Sequence, residues 1–354
     1  MATRYIILVN AGGEYGFGHA VRMLALAERL AQKGRQVGFA TRTEALTDVV
    51  PSLSYPIDVY SDADTDLEIL NSAAGSHRHG RVVFVVDIPN VSPSMLKGFT
   101  LSASSQRTGV VRVDHPWAEQ DTADLLVVPN AHQTPSEVEM IGECFGWGRT
   151  LYGFDYTIIS QDVAAMKRPR YRKRDENTVA FMAGGSDPGA SIPTMWEMVS
   201  HINLHAEPTG TRPRHVWCVA GGVMACDHTK LRPHDVIVLA FSRSAMRHVM
   251  LESSLLVCMF GVTVYEALYL GLPVITMTRT MSDAKRADCL EELTLGAVRH
   301  LGMFSLLQRE QLCEAIEAAM ADPGWRANAS YLGSKLIDGH GADRVADALV
   351  RRFG

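Results

Sequence analysis

Apolar residues along this chain follow two alternating rhythms. Short, near-continuous runs rich in β-branched side chains and closed by Gly, Pro, Asp or Asn read as strands: YIILVN (5–10), QVGFAT (36–41), RVVFVVD (81–87), GVVRVD (109–114) and DLLVVPN (124–130). Between the first two, Met23, Leu24, Ala27, Leu30 and Ala31 recur at intervals of three and four, which predicts an amphipathic helix with one apolar stripe. Strands this uniformly apolar do not suit a sheet with one wet face. With helices between them, they predict a parallel sheet covered on both sides.

The rhythm breaks at MKRPRYRKRDEN (166–177), where six of the eight residues from 167 to 174 are Lys or Arg. It then resumes with TVAFMAGG (178–185), HVWCVAGG (215–222), DVIVLAF (235–241), LLVCMFG (255–261) and PVITMT (273–278), and a helical pattern closes the chain from about 307. The expected organisation is an N-terminal α/β domain over 1–165, a basic linker over 166–177, and a second α/β domain over 178–354 that includes the helical tail. The halves agree in pattern and not in residues, so there is no sequence repeat. The basic run lacks helical spacing in a chain that is acidic overall, and it reads as a solvated linker rather than a polyanion grip.

Composition narrows the class. The chain is 47% hydrophobic and 21% charged with net charge -5, and its pI is near 6.2, the balance of a soluble globular protein. No apolar run reaches the ~18 residues of a membrane span, and the start lacks a signal-peptide cleavage site. A cytoplasmic location is expected. Cysteines 144, 218, 226, 258, 289 and 313 form no CxxC pair and are expected to be reduced thiols. The histidines show no metal-ligand spacing, so neither metal nor organic cofactor is expected.

Three glycine-rich turns carry the candidate chemistry, each following a strand. In GGEYGFGHAVR (12–22), glycines that include Gly16 and Gly18 open the first helix, with His19 and Arg22 just inside it. Helix N-termini offer N–H groups and partial positive charge to phosphate. The spacing departs from the dinucleotide fingerprint G-x-G-x-x-G, and no acidic residue closes the next strand, which disfavours a dehydrogenase. The histidine either tethers the loop or does chemistry. In AGGSDPG (183–189), Gly184, Gly185 and Ser186 can wrap a phosphate or simply make a turn. In FGVTVYEALYLGLPVI (260–275), a helix starts after Gly261 at Val262 and Thr263, with Glu266 one turn in. That carboxylate either complements the helix dipole or accepts both hydroxyls of a ribose.

Taken in order, GFGHAVRMLALAERL, DLLVVPNAH, LYGFDYTII, MAGGSDPG and GVTVYEALYLGLPVI resemble the GT-B superfamily of nucleotide-sugar enzymes. The sequence is most similar to the PseG family of UDP-sugar hydrolases and more distantly similar to MurG-type transferases. The resemblance implies two Rossmann-like domains with parallel sheets facing across a cleft. It implies His19 as catalytic base and Asp87 as a second catalytic residue, and a nucleotide-diphosphate site drawn from Gly16, Gly18, Gly184, Gly185, Ser186, Phe241, Gly261, Val262, Thr263 and Glu266. Arg22, Asn90, Asp283, Lys285 and Arg286 fall on the sugar and acceptor side.

Two stretches depart from the hydrolase pattern. VVDIPNVS carries Ile88, Pro89 and Asn90 where a tyrosine is usual, and TRTMSDAKRAD replaces an Asn-Gln pair. Both departures touch the sugar side, so a glycosyltransferase with a UDP-sugar donor is placed ahead of a hydrolase. A non-catalytic sugar-nucleotide binding protein is the third reading. The acceptor implied is a hydroxyl of a sugar, lipid, protein or nucleic acid.

Overall fold

The structure is a computed structural model that describes residues 3–60, 80–88, 108–114, 123–166, 178–184, 187, 191–199, 214–219, 235–239 and 243–354. It divides into two compact units, Met1–Ser160 with Gly339–Gly354, and Gln161–Asp338.

In the first unit the strands are β1 (Thr3–Val9), β2 (Gln36–Thr41), β3 (Ile57–Val59), β4 (Arg81–Asp87), β5 (Thr108–Val113), β6 (Leu125–Val128) and β7 (Thr150–Tyr152). They pair in parallel in the order β3-β2-β1-β4-β5-β6-β7. Alternate residues of the central strands enter opposite cores. Tyr5, Ile7, Val9, Val83 and Val85 pack on one side and Ile6, Leu8, Val82, Phe84 and Val86 on the other. Burial of both faces is why these runs are apolar without alternation. Helix α1 (Gly18–Gln32) lies on the first side, and α2 (Pro135–Cys144), started by the Thr134–Glu137 capping box, contributes Ile141 to the second.

The second unit repeats the plan with β8 (Thr178–Met182), α3 (Ser191–Val199), β9 (Arg214–Val219), β10 (Asp235–Leu239), α4 (Arg243–Glu252), β11 (Leu255–Met259), α5 (Val262–Tyr269), β12 (Val274–Thr278), α6 (Met281–Leu293), β13 (Val298–Met303), α7 (Arg309–Ala321) and α8 (Pro323–Leu336). Its sheet is also parallel, in the order β10-β9-β8-β11-β12-β13. Trp217 anchors one face, stacked on Phe181 at 3.9 Å and edge-on to Trp196 at 4.9 Å. Helix α5 ends where Gly271 takes φ +66, and Leu272 N–H returns to the Ala267 carbonyl at 2.8 Å.

The last helix, α9 (Gly341–Phe353), belongs to the first unit, whereas the sequence pattern assigns the tail to the second domain. Val345, Ala346, Leu349 and Phe353 join the core that holds α1. Thr3 Oγ1 donates to the Phe353 carbonyl at 3.0 Å, and Tyr5 O–H donates to that of Leu349 at 3.3 Å. Gly341 sits so close to Thr157 that a Cβ would lie 2.1 Å from its carbonyl oxygen. Covered by both the sheet and α9, helix α1 buries Ala25 and Leu26 as well as the predicted Met23, Leu24, Ala27 and Leu30, while Ala31 is exposed.

All ten segments read as strands are strands. The pattern missed β3, β7 and β13, each at the edge of its sheet. None of their residues apart from Val298 is fully buried, so they lack the apolar run that marks the inner strands.

Candidate functional site

In the first unit the strand order reverses direction between β1 and β4. Crossovers on either side of such a point leave the opposite faces, and the carboxyl ends of the strands there are open to ligands. Asp87 is the last residue of β4, level with Val9 of β1. The glycine loop leaves β1 at the same edge. Gly12 N–H donates to the Gly16 carbonyl at 2.9 Å, and Gly12, Gly13 and Gly16 take φ of +77, +48 and +67. At Gly12 a Cβ would also meet Ala45 Cβ at 2.7 Å. This tight ring delivers the chain into α1 at Gly18, placing His19 and Arg22, three residues apart, on the helix face toward the strand ends.

His19 Nδ1 lies 2.8 Å from Asp87 Oδ1. Arg22 Nε donates to Asp87 Oδ2 at 2.6 Å, its Nη2 donates to Asp87 Oδ1, and its Nη1 donates to Asp114 Oδ2 at 2.7 Å. Asn130 Nδ2 donates to both Asp114 oxygens at 3.3 Å. Asp114 follows β5 with φ +75, a conformation that Asp tolerates better than most residues but that costs energy. The cluster thus gathers α1 and the carboxyl ends of β4, β5 and β6.

Asp87 is fully buried and Arg22 nearly so, while the His19 side chain keeps 22% of its surface exposed. Burial pushes the Asp87 carboxyl up, but the charges and hydrogen bonds of Arg22 and His19 outweigh it and hold the group at about 2. Burial likewise opposes the Arg22 charge, and Asp87 and Asp114 together overcome that and raise its pKa. An ionised Asp87 accepts hydrogen bonds only, so Nδ1 of His19 carries a proton, and it is the neutral form of the ring that has its lone pair on Nε2. Arg22 Nη2 also stands 2.9 Å from Nδ1, but its donation goes to Asp87.

This geometry revises the reading of Arg22. Its guanidinium is committed to two carboxyl groups below the surface, so it holds Asp87 rather than touching sugar. Asp114 and Asn130 were missed. Their signal was there, a polar residue closing each apolar strand, but it was read only as a strand boundary. Asn90 lies outside the described residues.

The second unit has its own group at the carboxyl ends of β8, β11 and β12. Gly184 follows β8 with φ +88. Asp187 accepts from Ser191 N–H at 2.8 Å and Ile192 N–H at 2.9 Å, capping α3. Gly261 precedes α5, whose first residues, Val262 and Thr263, are half-buried, as is Glu266. Arg279, just past β12, donates from Nη2 to the Ala183 carbonyl at 3.1 Å and stands 3.8 Å from Asp187 Oδ1. The sequence reading passed over Arg279, the residue closing a strand, for the cations beyond it.

Thr280 caps α6, its Oγ1 accepting from the Asp283 N–H at 3.1 Å and donating to the Asp283 carboxylate at 2.7 Å. Arg286 leans back to Asp283 at 3.9 Å, and Lys285 is exposed. Asp288 and Glu291, farther along α6, engage His300, at 2.6 and 3.0 Å. Gly185, Ser186 and Phe241 lie outside the described residues.

Among the described residues no group of His, Cys, Asp or Glu is arranged to hold a metal, and no helix is long and apolar enough to cross a membrane. Burial pushes the Cys258 thiol up to about 12, while Cys144, Cys289 and Cys313 are partly buried and form no disulfide.

No protein-family model matches the sequence, and no curated protein does. Solved structures do. The glycotransferase of kitacinnamycin superposes with a TM-score of 0.71 at 14% identity, covering 100% of both chains. MurG of Acinetobacter baumannii gives 0.65 at 11%, covering 99% of this chain and 100% of that one. The UDP-GlcNAc 2-epimerase of Neisseria meningitidis, solved bound to UDP-GlcNAc, gives 0.62 at 12%, covering 99% and 100%. The protein therefore has the α/β GT-B fold, built of two Rossmann-like domains, and its structural neighbours include a glycotransferase and a UDP-GlcNAc 2-epimerase. The narrower likeness to the PseG hydrolases finds no counterpart among these matches.

Proposed function

We propose that the protein is a glycosyltransferase that uses a UDP-sugar donor, with His19 as the base. The observation that carries this reading is the 2.8 Å bond from His19 Nδ1 to the buried, ionised Asp87. With Nδ1 engaged by Asp87, Nε2 is the ring nitrogen left to take a proton, on a side chain that keeps 22% of its surface exposed. The acceptor hydroxyl gives its proton to Nε2 as its oxygen attacks the anomeric carbon of the donor. The bond from that carbon to the diphosphate oxygen breaks, and the nucleoside diphosphate leaves with the electron pair. Asp87, buried and out of substrate reach, is a positioning residue that stabilises the imidazolium formed in this step.

In the second unit, Glu266 accepts from the ribose hydroxyls. The backbone of Gly184, Gly185, Ser186, Val262 and Thr263 surrounds the diphosphate. The resemblance of GFGHAVRMLALAERL, MAGGSDPG and GVTVYEALYLGLPVI to the GT-B superfamily supports this division, as do neighbours that include a glycotransferase and an enzyme bound to UDP-GlcNAc.

The test is incubation with a panel of UDP-sugars, with and without candidate acceptors, followed by detection of free UDP and glycosylated product. Acceptor-dependent UDP release that is lost in His19→Ala supports the transferase. Rapid release of UDP and free sugar without acceptor identifies a hydrolase instead.

A further inference from the structure

The proton on His19 has a competitor in its own network. Arg22 Nη2 stands 2.9 Å from His19 Nδ1, so a guanidinium faces the ring that is to become an imidazolium. Two cations this close repel each other. Asp87 bonds both of them, and its single charge balances only one. With Asp87 and Arg22 as the whole cluster, the ring would gain its second proton beside a neutral pair.

Another carboxyl group changes that balance. Arg22 Nη1 donates to Asp114 Oδ2 at 2.7 Å, and Asn130 Nδ2 reaches both Asp114 oxygens at 3.3 Å. Such donors favour the ionised carboxylate. Asp87, Arg22 and Asp114 then carry between them one net negative charge, although Asp87 is fully buried and Arg22 nearly so. The backbone is bent to arrange it. Asp114 takes φ +75, and its N–H is tied to the Val127 carbonyl at 2.7 Å. The end of β5 is thus held in a costly conformation in which the carboxylate meets Arg22 of α1.

The charges that act on Asp87 are those of Arg22 and His19. Arg112, the other ion of β5, falls with Val110 on the face opposite Val111 and Val113, which pack in the core of α1. From the neighbouring elements, Tyr15 of the glycine loop, Arg42 just beyond β2 and His132 just beyond β6 also stand at the strand ends.

We propose that Asp114 is a positioning residue for the base: acting through Arg22, it leaves the buried cluster one negative charge in excess, which the proton taken up by His19 balances. The proposal rests on the reading of His19 as a base. It adds that the strength of that base is set two residues away from it, at a strand end that no substrate needs to touch.

The test follows the imidazole C–H resonance of His19 by NMR against pH, without substrate, in wild type, Asp114→Asn and Asp114→Gly. His19→Gln identifies the resonance. Asn keeps an oxygen for Arg22 and tolerates φ +75, and Gly adopts that φ without strain, so Gly is the second route if Asn does not fold. Both variants are expected to titrate at lower pH than wild type, because a proton on His19 no longer balances an excess charge. In acceptor-dependent UDP release, kcat should fall ~10- to 100-fold with KM nearly unchanged, a smaller loss than removal of the base itself. The acid limb of the rate profile should move down with the resonance. An unmoved resonance overturns the proposal. So does a fall in kcat with the acid limb in place, which marks a merely structural residue. A moved resonance in an enzyme that consumes no UDP-sugar keeps the charge balance and removes the transferase reading.

Discussion

The two units have nearly the same sheet, yet they use its carboxyl edge in opposite ways. The first concentrates buried charge there. His19, Arg22, Asp87, Asp114 and Asn130 come from one helix and three strand ends and bond to one another. Among the described residues the second unit offers at its edge the positive-φ turn of Gly184, the start of α5 and the Arg279–Asp187 ion pair. A cluster of charges fixes the position of one proton, and it must be closed against water to do so. A helix start and turn amides can instead accept a ligand that brings its own charge. The fold supplies the edge, and the residues at the strand ends decide which kind of site it becomes.

Asp87→Ala attacks the comparison at its strongest point. It leaves Arg22 buried against one carboxyl group, and breaking such a pair costs ~3–5 kcal/mol. Chemical denaturation should show the loss, with activity falling as well. Wild-type stability in this variant would mean that the first unit's network is incidental. The same carboxylate sets an acid limit. Its pKa is lowered in the fold from 3.8 to about 2, so its contribution is complete above about pH 4 and disappears as pH falls toward 2. Asp87→Asn should flatten stability in that window.

His19→Ala removes the proton's seat and leaves the second unit untouched. The expected fall in kcat is ~10²- to 10⁴-fold with UDP affinity nearly intact, and an unimpaired enzyme would sink the assignment of the base. Glu266→Ala is the converse experiment. Its expected cost is ~1.5–3 kcal/mol of UDP affinity by calorimetry. Unchanged affinity would leave Glu266 as a helix-dipole residue.

The smallest effect belongs to Lys285→Gln with Arg286→Gln. Lys285 is exposed and Arg286 leans on Asp283 at 3.9 Å, so the solvated-helix reading expects a change of only ~0.2–0.5 kcal/mol. A large loss of kcat/KM with a weakened salt dependence would return these cations to the sugar side.

The inner strands were legible because burial on both faces writes itself into adjacent residues. The edge strands β3, β7 and β13 were not, since half-wet strands carry no such run. His19, Arg22 and Asp87 could each be picked out, but their joint geometry joins positions 65 and 68 residues apart, and nothing local in GHAVR says that Arg22 faces inward. Asp114 and Asn130 looked like ordinary strand ends. Only the strand order, which sets β4, β5 and β6 side by side, turns three such ends into one site. The destination of α9 was equally hidden, because its apolar stripe states that it packs and not on what.

That destination bears on the order in which the molecule can be made. Chains emerging from the ribosome tend to fold domain by domain from the N-terminus. Here the first unit's core includes Val345, Leu349 and Phe353, which are synthesised after every residue of the second unit. The unit that begins the chain must therefore wait, with the α9-facing side of α1 uncovered, until the unit encoded inside it has been completed. A released chain ending at residue 338 would keep every residue of the second unit and lack the helix that covers α1.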